Sequence, residues 1–133
     1  MDPAGDGAPP LAAAAGAGGL AATPVELLRA AFAGVEGVEA AFVFGSEARG
    51  DSGPDSDIDL FILGRDDVHH AVGRALTEIE LLLGRDIGVM EYTRDRAIGR
   101  VRRGSVFFDR VAAGPRLWIA GDPLALERLR RAA

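Results

Sequence analysis

The sequence predicts an α/β fold in which a small β-sheet is flanked by helices. Short apolar runs of strand-like composition alternate with longer segments whose apolar residues recur at helical spacing. The chain has 133 residues, of which 24 are Ala and 18 are Gly, so it has room for one small domain. Because so many residues are small, little apolar area is available per residue, and we expect a compact two-layer arrangement.

Composition limits the chemistry that this domain can perform. The chain contains neither Cys nor Lys, which excludes disulfides, Cys-zinc sites and thiol nucleophiles, and we expect a cytoplasmic location. Fourteen acidic residues against five Arg give residues 23–93 a charge of −9, whereas seven Arg against two Asp give residues 94–116 a charge of +5. This polarity argues against a protein that coats nucleic acid and favours a metal site beside an anion-binding strip.

Residues 1–22 are predicted to be a disordered leader. Only five of them are not Ala, Gly or Pro, so burial cannot offset the entropy lost on ordering. No basic residue precedes the apolar run 11–22, which argues against a signal peptide, and the run is too short and Gly-rich for a membrane helix. We expect the domain to span residues 23–133, with a core at 23–92 and an extension of helices and a strand at 93–133.

The first elements of the domain follow from local signals. Thr23–Glu26 has the composition of a capping box and predicts a helix that runs toward Gly34. Ala40–Phe44 is apolar on both faces, which predicts a central strand in a covered sheet. In the second predicted strand, Asp57–Leu63, the two Asp residues share one face with Phe61 and Leu63, and the opposite face is apolar. That apolar face consists of Ile58, Leu60 and Ile62.

The later elements are predicted in the same way. Asp66 or Asp67 is expected to cap a long amphipathic helix that Gly84 ends. Thr93 is expected to cap the helix that follows the third strand. The remaining predicted segments are a strand at Asp86–Tyr92, helices ending at Arg103 and spanning Ser105–Ala112, a strand at Arg116–Ala120 and a helix at Leu124–Arg131.

Two features carry the chemistry. Gly45-Ser46, where a central strand turns into a helix, presents free amides and a hydroxyl and is suited to phosphate. Asp57 and Asp59 point the same way about 7 Å apart along the second strand, close enough to share divalent cations. Without a cation, these like charges destabilise each other. Either feature alone is usually an ordinary turn or a solvated strand face, but the two together on adjacent strands indicate a site.

These residues resemble the signature of the DNA polymerase beta-like nucleotidyltransferase superfamily, in particular its minimal nucleotidyltransferase branch. The match consists of Gly45-Ser46, Arg49-Gly50 and Ser56–Leu60 in a strand-helix-strand setting, and it extends from about Thr23 to Tyr92. The resemblance implies the palm of that superfamily, which is a small mixed sheet flanked by helices.

The resemblance also implies an activity and its residues. The reaction would transfer a nucleoside monophosphate, with AMP from ATP as the leading choice over other nucleoside triphosphates, to an acceptor hydroxyl while pyrophosphate leaves. Gly45, Ser46 and Arg49 would bind the nucleotide. Asp57 and Asp59 would be catalytic and would hold Mg²⁺, with a two-metal site as the family pattern.

The sequence departs from this family on the third strand. A third carboxylate usually stands there, and the alignment puts Gly88 in its place. Asp86 lies on the same strand face one pleat away and is the candidate third metal ligand, whereas Glu91 points to the opposite face. A bulge at Gly88 would re-aim either neighbour. The remaining alternative is a weakened or absent third ligand.

The missing carboxylate keeps a second interpretation open. The chain would then be a catalytically degenerate module that binds nucleotide or a partner, such as the antitoxin of a toxin–antitoxin pair, with an all-helical HEPN-type toxin as partner. The segments 104–108 and 114–122 resemble a bacterial and archaeal subgroup in which the third position is commonly not acidic. A protein partner or acceptor is expected because so small a core offers little surface for acceptor recognition; nucleic acid is less favoured, and no membrane is expected.

Other conspicuous residues have ordinary interpretations. The consecutive His69 and His70 cannot face one metal together and are expected in solvent. Trp118 is expected in the core. The arginines of segment 94–103 are expected to form a solvated helix face, with contacts to a triphosphate, RNA or an acidic protein as the alternative.

Overall fold

Four strands form one mixed sheet in the order β3-β2-β1-β4. The computed structural model describes residues 22–133. The strands are β1 (Val38–Phe44), β2 (Ile58–Gly64), β3 (Ile87–Tyr92) and β4 (Leu117–Gly121). Strand β1 is antiparallel to both β2 and β4, whereas β2 and β3 are parallel. The predicted small mixed sheet is confirmed, with β1 and β2 in the centre.

Helices connect and cover these strands. In the described residues they are α1 (Pro24–Phe32), α2 (Gly45–Arg49), α3 (His69–Leu83), α4 (Arg94–Arg102), α5 (Val106–Ala113) and α6 (Ala125–Ala132), and a 3₁₀ turn at Asp66–Val68 precedes α3. No helix within residues 22–133 is long and apolar enough to cross a membrane. The predicted leader lies outside the described residues except for Ala22, which packs against the core.

Local capping explains where several helices begin and end. The Thr23 hydroxyl accepts a hydrogen bond from the amide of Glu26, whose carboxylate accepts one from the amide of Thr23, which completes the predicted capping box. Thr93 caps α4 through the amide of Arg96, and Gly84 ends α3 in the left-handed conformation with φ +64°. The sequence therefore determined these boundaries locally.

The predicted Asp cap of α3 is wrong. Neither Asp66 nor Asp67 caps the helix, because the chain enters α3 through the 3₁₀ turn, in which the amide of Val68 donates to the carbonyl of Arg65. Asp67 instead lies 3.3 Å from the Arg65 guanidinium in an exposed pair. Burial of the Val68 side chain against the core fixes this entry in place of a side-chain cap.

Helices cover both faces of the sheet, so the fold has three layers rather than the predicted two. Helices α1 and α3 pack on the face formed by Ile58, Leu60 and Ile62, and α4, α5 and α6 pack on the face of Phe61 and Leu63. Fourteen of the 42 Ala and Gly residues lie in residues 1–22. The rest of the chain is therefore richer in large apolar side chains than the overall composition suggests, and these support two core layers.

An aromatic cluster anchors α5 against the second face. The Phe61 ring stacks on Phe42 with centroids 4.8 Å apart and meets Phe108 edge-on at 5.9 Å. Phe107, one residue earlier on α5, packs edge-on against Phe44 at the end of β1, at 5.7 Å. Helix α5 is thereby held beside the end of β1.

Trp118 does not lie in the core as predicted. It is 42% exposed, its indole NH donates to the carbonyl of Gly121, and the Arg29 guanidinium lies 5.6 Å from its ring centre. Strand β4 is an edge strand whose pairing with β1 shifts register between Ala41 and Phe42, and Ile119 is its buried residue. Edge position and this shift leave the indole at the surface.

Candidate active site

Three strand ends meet at one end of the sheet. Phe44, the last residue of β1, pairs with Asp59 near the start of β2, and Asp59 pairs with Gly88 near the start of β3. The geometry follows from the directions of the strands. Strand β1 is antiparallel to β2 and therefore ends where β2 begins, whereas β3 is parallel to β2 and begins at the same end. The Gly-Ser turn, the paired aspartates and the third-strand position are thus brought together.

The backbone of Gly45 lies directly against the carboxylate of Asp59. Gly45 has φ +69°, and a Cβ placed on it would overlap Asp59 Oδ2. Both the left-handed conformation and the close approach require glycine here. The turn then opens into α2, which Gly50 ends with φ +82°.

The two aspartates form an electrostatically strained pair. Asp59 is half-buried and Asp57 exposed. Burial raises the pKa of Asp59, the nearby charge of Asp57 raises it further, and the positive charge of Arg49 opposes both. A divalent cation bound between these carboxylates would remove the repulsion, because its charge favours the ionised form.

The third-strand position offers space but no ligand. A Cβ on Gly88 would lie 3.6 Å from Asp59 Oδ1 and meet nothing else within 4 Å. Pairing of β2 with β3 runs without a shift from Ile87 to Tyr92, so no bulge turns a neighbour inward. Asp86 is exposed just before the strand, and Glu91 lies 3.3 Å from His69 Nδ1 at α3.

The positions of the acidic residues determine how many metal ions the site can hold. Within residues 22–133, no group of three or more His, Cys, Asp or Glu residues is arranged to hold a metal ion. The two carboxylates of Asp57 and Asp59 fit the oxygen-donor preference of one Mg²⁺ ion, with water completing its shell. The three-carboxylate set of a two-metal site is not present in this arrangement.

A buried ion pair that the sequence analysis missed fixes the turn. Arg85 donates to Glu47 Oε1 at 2.8 Å and to the carbonyl of Ser56 at 2.9 Å, and the Ser52 hydroxyl donates to the same Glu47 oxygen at 2.7 Å. The two charged side chains are only 11% and 15% exposed. Partial burial raises the pKa of Glu47, but the hydrogen bonds from Ser52 and Arg85 and the charge of Arg85 lower it more, so it lies below its usual value.

This network joins the pieces that carry the site. Glu47 belongs to α2, Ser52 and Ser56 to the loop before Asp57, and Arg85 to the turn before β3. It therefore holds the Gly-Ser turn and the aspartate strand in a fixed relation, as a preorganised site needs. Spacing gives no signal for it, because Glu47 and Arg85 are 38 residues apart.

A cleft of about 240 Å³ opens beside Gly45. Arg49 forms part of its wall, with its guanidinium 3.3 Å from the exposed carboxylate of Asp51. Helix α5 supplies Phe107 and Arg110, which the sequence analysis did not single out. The lining residues are Phe44, Gly45, Arg49, Phe107, Arg110, Val111, Gly114 and Pro115.

Other residues singled out in the sequence lie away from this cleft. His69 and His70 are exposed as expected, with ring centres 5.8 Å apart. The arginines at 94, 96, 100, 102 and 103 are exposed too, and Arg96 and Arg100 lie over the Tyr92 ring. Tyr92 ends β3 roughly 13 Å along the strand from Gly88, so these two arginines are remote from the aspartates.

The raised pKa of Asp59 leads to a prediction about stability. Because folding raises this pKa, the carboxyl stabilises the native state below its unfolded value of 3.8, and that contribution is lost as pH rises through the folded pKa. Asp59→Asn cannot ionise, so the variant does not lose this stability as the pH rises. After allowance for solvent screening, we expect Tm at pH 7 and low salt to rise by roughly 2–4 °C, and to be unchanged at pH 3.

Thermal unfolding monitored by circular dichroism at both pH values measures this effect. The matched control is Asp66→Asn, which removes an exposed carboxylate from the opposite end of β2 and should leave Tm unchanged. Equal Tm values for Asp59→Asn and wild type at pH 7 would show that the carboxylate pair is not strained.

Comparison with known proteins gives the family. A model of the family described as polymerase beta, nucleotidyltransferase matches residues 26–108, which is more than half of the chain and contains the Gly-Ser turn, both aspartates and β3. No curated protein sequence gives a significant match.

Two solved structures share the fold at low sequence identity. One, a toxin–antitoxin with AMP-PNP, is 17% identical, with a TM-score of 0.50 and coverage of 74% of this chain and 73% of that one. The other, a mutant of the toxin–antitoxin MntA-HpeT, is 13% identical, with a TM-score of 0.56 and coverage of 84% and 83%. The resemblance seen in the sequence is confirmed, and the chain belongs to the polymerase beta nucleotidyltransferase family.

Proposed function

We propose that this chain is a Mg²⁺-dependent nucleotidyltransferase that transfers AMP from ATP to an acceptor hydroxyl. The observation that carries the proposal is the contact between the Gly45-Ser46 turn and Asp59, which puts a phosphate-binding turn directly beside a pair of carboxylates. Family membership supports the same reaction class.

The chain's own residues divide the work. Asp57 and Asp59 would hold Mg²⁺, which when bound would neutralise charge on the phosphates and lower the pKa of the attacking hydroxyl. The turn at Gly45 and Ser46 would donate hydrogen bonds to phosphate oxygens, and Arg49 would add positive charge beside them. The Glu47–Arg85 pair would position these groups without touching the nucleotide.

A protein is the proposed partner or acceptor. The two solved structures named above are toxin–antitoxin proteins, and one of them carries AMP-PNP, an analogue of ATP. With the resemblance to minimal nucleotidyltransferases, this supports ATP as donor and an all-helical HEPN-type toxin as the protein to test first. We place the reaction in the cytoplasm, where a nucleoside triphosphate donor is at hand.

Gly88 favours a second candidate function. Without a third carboxylate, residues 22–133 place no further acidic group beside Asp59 that would help to activate the acceptor. The same fold would then act as a nucleotide-sensing or partner-binding module that sheathes a toxin without modifying it. The two candidates differ in whether label is transferred and in whether the aspartates are needed for partner binding.

Transfer is tested with ATP labelled at the α-phosphate. We expect a co-purified partner to become labelled in the presence of Mg²⁺, and Asp57→Asn and Asp59→Asn each to reduce the labelling by about 100-fold or more, the scale for loss of a main electrostatic group. Asp66→Asn again serves as the control. Absence of labelling with every nucleotide, together with absence of nucleotide and metal binding, would rule out the enzyme.

Restoring the third carboxylate is a second test. Gly88→Asp would put a carboxylate next to Asp59 in open space, at a backbone position without positive φ. We expect Mn²⁺ titration followed by electron paramagnetic resonance to show one ion per wild-type chain and a second in Gly88→Asp. Gly88→Asn, of equal size without the charge, should bind as wild type does. Identical titrations for Asp and Asn at this position would contradict the assignment.

The partner-binding candidate makes its own prediction. If the chain only sheathes its partner, Asp57→Asn and Asp59→Asn should co-purify with the HEPN-type protein as wild type does, because removing the carboxylates leaves the protein surface otherwise intact. The measurement is the amount of complex recovered by size-exclusion chromatography. Loss of the complex in both variants would count against binding without catalysis.

A further inference from the structure

Two arginines of α4 lie over Tyr92, at the far end of β3 from Gly88. The guanidinium carbon of Arg96 is 5.5 Å from the centre of the Tyr92 ring, and that of Arg100 is 5.9 Å from it. Both arginines are exposed, and within residues 22–133 neither forms an ion pair. A guanidinium placed against a ring loses less freedom when it binds an anion. The two arginines are therefore ready to receive a negatively charged group.

One face of β3 connects these arginines with the aspartates. Side chains alternate along a strand, so Gly88, Met90 and Tyr92 share a face. Gly88 pairs with Asp59 of β2 and leaves open space beside its carboxylate. Met90 is 37% exposed, and β3 is an edge strand of the sheet. A molecule that lies along this face would reach both the aspartate and the arginines.

The length of this face matches a short extended peptide. Gly88 and Tyr92 are four residues apart on the strand, which corresponds to about 13 Å at roughly 3.3 Å per residue. Two residues four apart in an extended peptide span the same distance, and their side chains point to the same side. A hydroxyl beside Asp59 and a carboxylate at the arginines would thus be four residues apart in such a peptide.

The charges along this face favour a peptide over a nucleic acid. A nucleic acid carries a negative charge on every nucleotide, so it would bring phosphates to Asp57 and Asp59 as well as to the arginines. Asp86, just before β3, is exposed and adds a further negative charge to the chain there. A peptide can be neutral beside the aspartates and acidic beside Arg96 and Arg100, because its charge is confined to particular residues.

We propose, on the basis of the function above, that this face of β3 binds the acceptor as an extended protein segment and that Arg96 and Arg100 recognise a carboxylate four residues from the acceptor hydroxyl. Arginine binds carboxylates in bidentate geometry. The contact would fix where the segment lies along the strand, and so determine which hydroxyl stands beside Asp59. The two arginines are specificity residues, since they contact the acceptor protein away from the reacting atoms.

Synthetic nine-residue peptides test the carboxylate requirement with the full chain. Each peptide carries one central hydroxyl residue, Ser in one set and Tyr in another, in a background of Ala and Gly. Glu stands four residues away on both sides, so that either chain direction is covered, and Gln replaces both Glu residues in the control. We expect fluorescence anisotropy with Mg²⁺ to show about 10-fold tighter binding of the Glu peptide, the scale of one charge-assisted contact.

A double variant tests the arginines themselves. Arg96→Gln with Arg100→Gln should bind the Glu peptide about 10-fold more weakly than wild type does. Arg102→Gln with Arg103→Gln removes the same charge from exposed positions at the end of α4 and should bind as wild type does. Circular dichroism checks that both double variants are folded, and the comparison of Glu and Gln peptides on wild type needs no variant.

The spacing is tested by transfer of label from ATP labelled at the α-phosphate. Peptides with Glu four residues from the hydroxyl should have a KM about 10-fold below that of peptides with Glu two residues away. Their kcat should be the same, because the arginines do not touch the reacting atoms. Equal KM values for the two spacings would contradict the proposed alignment along β3.

Other results overturn the proposal in distinguishable ways. If wild type binds Glu and Gln peptides equally, or both double variants bind as wild type does, the arginines do not recognise the acceptor, and the proposed function is unaffected. If a single-stranded RNA binds more tightly than the peptides and depends on Arg96 and Arg100, this face takes nucleic acid instead. If peptide binding depends on the arginines but neither peptides nor a co-purified partner become labelled, the proposed function fails and the acceptor assignment fails with it.

Discussion

The contact between the Gly45 backbone and the Asp59 carboxylate is the constraint on which the site depends. It joins the end of β1 to the start of β2 at a distance that no side chain at position 45 would allow. Because the turn sits so close, groups that would bind phosphate and groups that would bind a cation lie side by side. Moving the turn away would relieve the crowding but would separate the two halves of the site.

This close approach needs support from elsewhere, since a half-buried carboxylate beside a second one is unfavourable without a cation. The support is of two kinds. Buried apolar residues on both faces of β2 fix the strand that carries the aspartates, and the Glu47–Arg85 pair fixes α2 and the loop before Asp57. Removing one partner of this pair would leave a buried charge without a counter-charge, which destabilises the fold. The same pair therefore supports both the geometry of the site and the stability of the protein.

The two sides of the site carry different charges. On the β3 side, Gly88 leaves open space next to Asp59, and within residues 22–133 neither Asp86 nor Glu91 completes a three-residue cluster with the two aspartates. On the α5 side, Arg110 adds a positive charge to the one that Arg49 supplies. If the chain has the proposed function, this arrangement would hold the donor nucleotide better than it would activate the acceptor hydroxyl.

The sequence by itself determined the parts of this protein that depend on neighbours along the chain. The Thr23 and Thr93 caps, the end of α3 at Gly84 and the alternation of β2 are all local, and they were enough to predict these helices and strands and the shared face of Asp57 and Asp59. The physical basis of these local features is backbone capping and strand periodicity, which act within a few residues. The mixed sheet, and the place of Gly88 beside the aspartates, were predicted from the family resemblance of the Gly-Ser and Asp-x-Asp pattern.

Tertiary structure alone decided what depends on contacts between distant segments. The Glu47–Arg85 pair spans 38 residues, and Phe107 and Arg110 reach the site only because the aromatic cluster holds α5 against β1. The exposure of Trp118 follows from the edge position of β4 and its register shift, and the second layer of helices follows from packing on both faces of the sheet. None of these leaves a spacing pattern, because the side chains involved become neighbours only when the sheet assembles.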